Sequence, residues 1–318
     1  MTPALADANN GNWQTAQRWA RMLRPAYRVR LTQHWDAGDE ALMIALHARR
    51  SAPSVQAWRA AHPDRPLVLV LTGTDLYRDI HHDDDARRSL ALADALVVLN
   101  EQGAAALPLA LQRKAQVILQ SCRARQPVAR SARHLRALMV GHLREEKDPH
   151  TYWRAAERLA ARPDLLLDHI GLALVPALGQ AAEALAARQP QFRWLRGRPH
   201  GEVRRRIQAA HVLVHPSRME GGAHVVIEAI RSGTPVLASR IDGNLGLLGR
   251  DYEGVFEPGD DAALARLLLQ ARDDPAMLPR LTAQVAARSP LFDPAAEQAA
   301  LHQRVSSLLA RRPHGTPT

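Results

Sequence analysis

Short apolar runs alternate with amphipathic stretches along the whole chain, a pattern that predicts parallel α/β layers. In the first half the predicted strands are Val29–Thr32, Leu42–Leu46, Leu67–Leu71, Leu96–Leu99 and Val117–Gln120. In the second half they are Leu138–Val140, Leu165–Ile170, Phe192–Leu195, Val212–Val214, Pro235–Ala238 and Gly254–Phe256. Helices are predicted over Asp260–Ala271, Ala276–Ala287 and Ala295–Leu309, and the tail Arg311–Thr318 is expected to be disordered. Between the halves, Ser121–Arg133 is polar, Arg-rich and contains Pro127, so it reads as an interdomain linker. The expected division is 1–130, 131–292 and a C-terminal stretch 293–318.

In parallel sheets, ligands bind beyond the carboxyl ends of the strands. The unusual polar clusters fall at those places: Asn9–Asn12, His47–Ser51, Thr72–Asp75, Gly141–Lys147, Gly197–His200, His215–Gly222 and Asp242–Asn244. Strand-end loops are often polar anyway, so their common placement counts for more than any one of them.

Composition narrows the reading. The 318 residues, 46% of them hydrophobic, suffice for two cores. No apolar run reaches membrane-spanning length and no basic-then-apolar leader opens the chain, so no integral membrane contact is expected. Cys122 is the only cysteine, which excludes an internal disulfide and favours a reducing cytoplasm. A net charge of +10 raises the possibility of nucleic acid. The basic residues are scattered, however, and three Phe and four Tyr offer few stacking platforms. A positive field for small anionic substrates is the simpler account. Arginine has displaced nearly all lysine, leaving Lys114 and Lys147. Lys147 follows a predicted strand, where a compact ammonium suits a phosphate approached at varying angles.

The run from His215 to Pro235 carries the densest chemistry. An apolar segment stops at His215-Pro216-Ser217, a Gly221-Gly222 turn follows, and a helical pattern starts near Ala223. Amides at such a helix start suit a diphosphate. Glu220 in the loop and Glu228 in the helix suit the hydroxyls of a sugar and a ribose. The plainer alternative makes Glu220 a cap and Glu228 a solvated helix residue.

With Glu228-Ala229, Gly233-Thr234-Pro235-Val236 and the spacing of the two glutamates, this run resembles the donor motif of family-4 glycosyltransferases. The resemblance implies the GT-B fold: two Rossmann-like domains facing each other across a cleft, with the C-terminal helix returning to the first. It implies a nucleotide sugar as donor and no metal or other cofactor. Lys147 matches the family's lysine; His142 stands where an arginine is usual, and Arg144 lies two residues on. Lys147 and Arg144 are therefore expected to grip the diphosphate, with His142 beside them. Gly221-Gly222-Ala223-His224 replaces Gly-Phe-Gly-Leu, keeping amides for sugar hydroxyls or the β-phosphate and placing His224 towards the sugar or diphosphate, where it would carry charge to the leaving group. Gly243 and Asn244 stand where the family carries Gly-Gly-x-x-Glu, and amides there would cap the pyrophosphate. Thr72-Gly73-Thr74-Asp75 resembles the family's His-Gly-Thr-Asp, without the histidine. The acceptor is expected at Asn9, Asn10, Asn12, Thr72, Gly73, Thr74, Asp75 and Arg78. Helix capping by the Asn run and by Asp75 stays open as the alternative. Asp83-Asp84-Asp85 reads as an acidic helix start rather than a metal site.

Departures from the family recur together. Ala6–Ala16, Leu46-His-Ala-Arg-Arg-Ser51, Leu71–Ile80, Gly141–Pro149 and Gly243–Gly249 resemble the selenosugar synthases of selenoneine biosynthesis. That resemblance implies selenophosphate as acceptor, a UDP-sugar such as UDP-N-acetylglucosamine or UDP-glucose as donor, and UDP as product. It also implies coupling to a selenophosphate synthetase and a selenoneine-forming enzyme. Ordinary transfer of a hexose to a hydroxyl remains the alternative. An anionic, soft nucleophile needs no carboxylate base, only a pocket that holds it.

Overall fold

A computed structural model describes residues 1–3 and 11–310; the expected acceptor residues Asn9 and Asn10 and the tail from Arg311 lie outside the described residues. The chain divides into two compact units, Met1–Ser121 with the stretch from Pro294, and Cys122–Asp293.

In the first unit, α1 (Gly11–Leu23) buries Ala16, Trp19, Ala20 and Leu23, the stripe a 3.6-residue period demands. Then follow β1 (Met43–Leu46), α2 (Ala52–Ala61) and β2 (Leu67–Leu71). A π-helical turn at Asp75–Asp79 leads into the short α3 (Ile80–His82) and α4 (Asp84–Leu92). After β3 (Ala95–Val98), α5 (Leu109–Gln112) and β4 (Ala115–Val117) complete the sheet. All four strands are parallel, in the order β1-β2-β3-β4. The run Leu67–Leu71 is buried on both faces, as an inner parallel strand requires. Asp83 caps α4 by accepting from the Ala86 N–H at 2.8 Å. The last helix of the chain, α13 (Pro294–Ala310), belongs to this unit and buries Glu297, Leu301, Val305 and Leu308. Glu297 accepts from Trp19 Nε1 at 2.7 Å, Arg18 Nε at 3.1 Å and Ser121 N at 2.8 Å.

Two strand expectations need correction here. Among the described residues Val29–Thr32 pairs with no strand; Thr32 C=O accepts from Thr2 N–H at 3.0 Å. β4 begins two residues before Val117 because Leu96 pairs with Ala115; Gln120 instead turns its amide to Thr15.

The second unit holds β5 (Leu135–Val140), α6 (Pro149–Arg158), β6 (Leu165–Ile170), α7 (Pro176–Arg188), β7 (Phe192–Trp194) and α8 (His200–Ala209). The chain then returns through β8 (Val212–His215), α9 (His224–Ile230), β9 (Val236–Ser239), α10 (Asp242–Leu248) and β10 (Val255–Phe256). Helices α11 (Asp261–Asp273) and α12 (Met277–Arg288) follow. The parallel order is β10-β9-β8-β5-β6-β7. From β5 the chain winds outward through β6 and β7, then comes back to place β8 against the other side of β5. The carboxyl ends of β5 and β8 therefore flank the switch point of the sheet, where open α/β folds leave a crevice. Among the described residues, no helix is long and apolar enough to cross a membrane.

Candidate active site

Both loops at that crevice are held by their backbones. After β5, Glu145–Lys147 forms a single 3₁₀ turn, ended by Asp148 in the left-handed region (φ 44°). Asp148 accepts from Thr151 N at 3.3 Å and Thr151 Oγ1 at 2.8 Å, capping α6. Arg218, from the loop after β8, donates through Nε to Asp148 at 3.1 Å and through its backbone to Glu146 C=O at 2.9 Å. These bonds tie the two loops together and bring Lys147 Nζ onto Glu220 Oε1 as an ion pair. His215 Nε2 stands 3.2 Å from the same oxygen, without the alignment of a hydrogen bond. Burial alone would raise the Glu220 pKa; the Lys147 charge and His215 outweigh it and hold the carboxylate well below its usual range.

A third loop supports Glu220 from beneath. A Cβ on Gly243 would collide with the Glu220 carbonyl, so only glycine lets the first turn of α10 approach so closely. Asn244, fully buried, donates to Ser239 O and Oγ at 3.0 Å each, and Ser239 Oγ bonds the Ser217 carbonyl. The Asn244 side chain thus braces the loop from within.

Glu228, 3% exposed, lies one turn into α9, beyond Gly221, Gly222 and Ala223. His200 Nε2 bonds its Oε1 at 2.6 Å, His224 Nδ1 stands 3.4 Å away and Arg204 lies at 3.8 Å. Burial works to raise the Glu228 pKa, yet His200 and His224 bring it down to about 2. The same bond raises the His200 pKa. At the end of β5, His142 Nδ1 accepts from Leu172 N–H at 3.1 Å, which leaves the proton on Nε2. Burial, then Arg144 and Lys147, lower its pKa and keep the ring neutral. Arg144 is exposed and, among the described residues, makes no ion pair. Of the expected donor groups, the structure brings together Lys147 and Glu220 in one ion pair, with His142 beside Lys147, and it sets Gly243 beneath Glu220. His200, Arg204 and His215 were not singled out in the sequence; only the polar clusters holding His200 and His215 signalled them.

The first unit gathers its own polar group at the ends of β1 and β2. Asp75, fully buried, accepts from the backbone N–H groups of Ala48 at 2.9 Å, Thr72 at 2.8 Å and Gly73 at 2.9 Å. It is the anchor of this loop and not part of its surface, which corrects its expected contact with an acceptor. Gly73 adopts φ 137°, a conformation suited to glycine. His47, at φ 72°, faces Thr74 Oγ1 through Nε2 at 3.1 Å. Asp79 is held by Arg49 at 2.8 Å and Arg78 at 3.0 Å. Asn12 is half-buried in the first turn of α1.

Comparison with known proteins gives this geometry a context. D-inositol 3-phosphate glycosyltransferase of Corynebacterium urealyticum is 34% identical over 131 residues, 38% of this chain and 31% of that protein. The enzyme of the same name from Streptomyces avermitilis is 32% identical over 170 residues, 49% of this chain and 36% of that one. The chain thus spans about a third of the length of these curated relatives. Sucrose-phosphate synthase from Thermosynechococcus elongatus superposes with a TM-score of 0.71 at 22% identity, over 85% of this chain and 74% of that one. Anabaena HepE in complex with UDP-glucose gives 0.69 at 19% identity, over 84% and 79%. At such identities the likeness speaks for the fold, two Rossmann-like parallel sheets of GT-B type. The family model of glycosyl transferases group 1 matches residues 123–288, just over half the chain and nearly all of the second unit. The chain belongs to the glycosyl transferases of group 1.

Proposed function

We propose that the chain transfers a sugar from a UDP-sugar to selenophosphate, joining selenium to C1 of the sugar. The observation that carries the donor half is the Lys147–Glu220 pair at the β5/β8 switch point, with the unpaired Arg144 on the same loop. In this reading Glu220 and the amides of Gly221, Gly222 and Ala223 hold the sugar hydroxyls, and Glu228 holds the ribose. Gly243 brings the α10 amides to the pyrophosphate, with His142 as a neutral donor. The C1–O bond to the β-phosphate breaks and its electron pair leaves with UDP. Lys147, Arg144 and His224 neutralise the developing charge, and the selenium lone pair forms the new C1–Se bond. UDP complexes among solved structures of this fold agree with a UDP donor.

Two features support the acceptor half. The departures shared with selenosugar synthases are the first. The second is that Asp75 and Asp79, the carboxylates at the ends of β1 and β2, are committed to backbone amides and to Arg49 and Arg78. A hydroxyl acceptor needs a base; an anionic selenium nucleophile needs a positive, donor-rich pocket, which Arg78, Thr72, Thr74, the Gly73 loop and Asn9, Asn10 and Asn12 would supply. The reading calls for no metal or cofactor.

A second reading, transfer to a hydroxyl of a phosphorylated polyol, is favoured by the names of the curated relatives. The purified protein, incubated with UDP-N-acetylglucosamine and UDP-glucose, separates the two when offered selenophosphate or inositol 3-phosphate. Mass spectrometry is expected to find a selenium-containing sugar and UDP. A glycosylated inositol phosphate with no selenosugar sinks the first reading and leaves the second.

A further inference from the structure

The first sheet stops at β1, but the edge beyond it is walled. A groove of about 860 Å³ runs along that edge. Trp19 and Val305 form one wall, from the core layer of α1 and α13; Trp35 and Trp58 form the other, from the layer of α2. Val29 and Leu31 make the far lip. The groove therefore lies in the plane of the sheet with apolar side chains above and below, which is the environment of an inner parallel strand.

The backbone at one end already follows strand rules. The amino group of Met1 donates to Ile44 C=O at 3.0 Å, and Leu46 N–H donates to Met1 C=O at 3.3 Å. That pair of bonds is the parallel-ladder pattern for one residue seated opposite Ala45. On the other side, Thr2 N–H donates to Thr32 C=O at 3.0 Å. Continued backward, the same alternation sets a residue just ahead of Met1 against Arg30 C=O and Thr32 N–H. The residue before that would meet Leu42 C=O and Ile44 N–H.

Two further observations point into the groove. The Met1 ammonium is buried; burial, then Arg30, pull its pKa down to about 6, with Glu40 opposing. A peptide N–H at that point makes the same bond to Ile44 without a buried charge. Trp35 Nε1, Trp58 Nε1 and Glu40 Oε2, all lining the groove, are buried without hydrogen-bond partners.

We propose that the groove is the seat of one more parallel strand, an extended apolar segment of about four or five residues running with β1 and joined to the chain at Met1. It explains why Val29–Thr32 has strand composition and, among the described residues, no ladder: its partner is this segment, not β1. The proposal is independent of the donor and acceptor chemistry.

The test fuses Val-Ile-Val-Ile-Val ahead of Met1 in the full chain, with Gly-Ser-Gly-Ser-Gly and Val-Asp-Val-Asp-Val fusions alongside. The apolar fusion is expected to raise the thermal midpoint by about 5 °C or more and to slow amide exchange at Ile44 and Thr32 at least tenfold. The Gly-Ser fusion should do neither, and the Val-Asp fusion should fail because both faces of the groove are apolar. Equal behaviour of the apolar and Gly-Ser fusions overturns the proposal. Protection of Ile44 by the free peptide but not by the fusion, or by self-association of the unextended chain in sedimentation, also overturns it, since another chain would then be the occupant.

Discussion

Replacing Lys147 by Met keeps the bulk of the side chain and strands the Glu220 carboxylate. Glu220 keeps only 11% of its side-chain surface in solvent, and its other neighbour, His215, is buried and held towards its neutral form. Removing one member of a buried ion pair costs roughly 3–5 kcal/mol. The remaining contact with solvent argues for the lower end, about 3 kcal/mol, which is a hundredfold or more in the local opening equilibrium. Hydrogen exchange in urea, read on peptides from β8 to α10, isolates this region from the first unit. The sign with pH follows from the pair. In the native protein Glu220 lies below its ordinary 4.5, so its stabilisation is complete above that pH and declines as pH falls further. Without Lys147, burial dominates and raises the pKa, so the deficit of Lys147→Met should shrink as pH falls from 8 to 5. The double variant Lys147→Met/Glu220→Gln removes the charge and should recover most of the loss. A single variant as stable as the parent, or a double variant no better than the single, refutes the reasoning.

Other outcomes follow from the same geometry. Gly243→Ala drives a methyl into the Glu220 carbonyl and should weaken UDP binding at least tenfold by calorimetry while the first unit keeps its exchange pattern. Arg144→Ala should leave stability within about 0.5 kcal/mol, as for an exposed residue without partners, yet raise the KM for the UDP-sugar. His200→Ala tests the raised His200 pKa: the contribution of this bond is present below pH 6.5 and fades as pH rises through the higher folded value. The stability gap between His200→Ala and the parent should therefore narrow between pH 6 and 9 in thermal melts. Asp75→Asn replaces a carboxylate that accepts from three backbone amides and should cost about 2 kcal/mol, seen as faster exchange at Ala48 and Gly73.

The layered α/β architecture was legible because strands such as Leu67–Leu71 and Val212–Val214 are short apolar runs between amphipathic stretches. Val29–Thr32 misled for a physical reason: alternating apolar positions show which side chains can pack, whereas strand status requires a hydrogen-bonded neighbour. At the candidate site, Glu220, Glu228 and Lys147 could be picked out by type and spacing. Their partners could not, because pairing depends on which strands lie side by side. His200 reaches Glu228 from α8, twenty-eight positions earlier, and Arg218 reaches Asp148 across seventy.

The same topology explains why the two glutamates, though one motif in sequence, sit in different electrostatic settings. Glu220 precedes α9, in the loop that β8 carries to the switch point, so its neighbour is whatever follows β5, and that is Lys147. Glu228 is a turn inside α9, whose flank is covered by α8, so its neighbours are His200 and Arg204. A lysine opposes the first, whereas the charge opposing the second depends partly on His200, an imidazole whose pKa its bond to Glu228 raises. Seven residues of sequence thus separate a carboxylate whose setting is nearly independent of pH around neutrality from one whose setting changes there. If both hold the donor, acidity near neutral pH should alter the grip on the ribose end while leaving the sugar end unchanged. UDP binding measured from pH 6 to 8 should therefore change in the parent and lose that change in His200→Ala, and a pH dependence that survives the substitution would place its origin elsewhere.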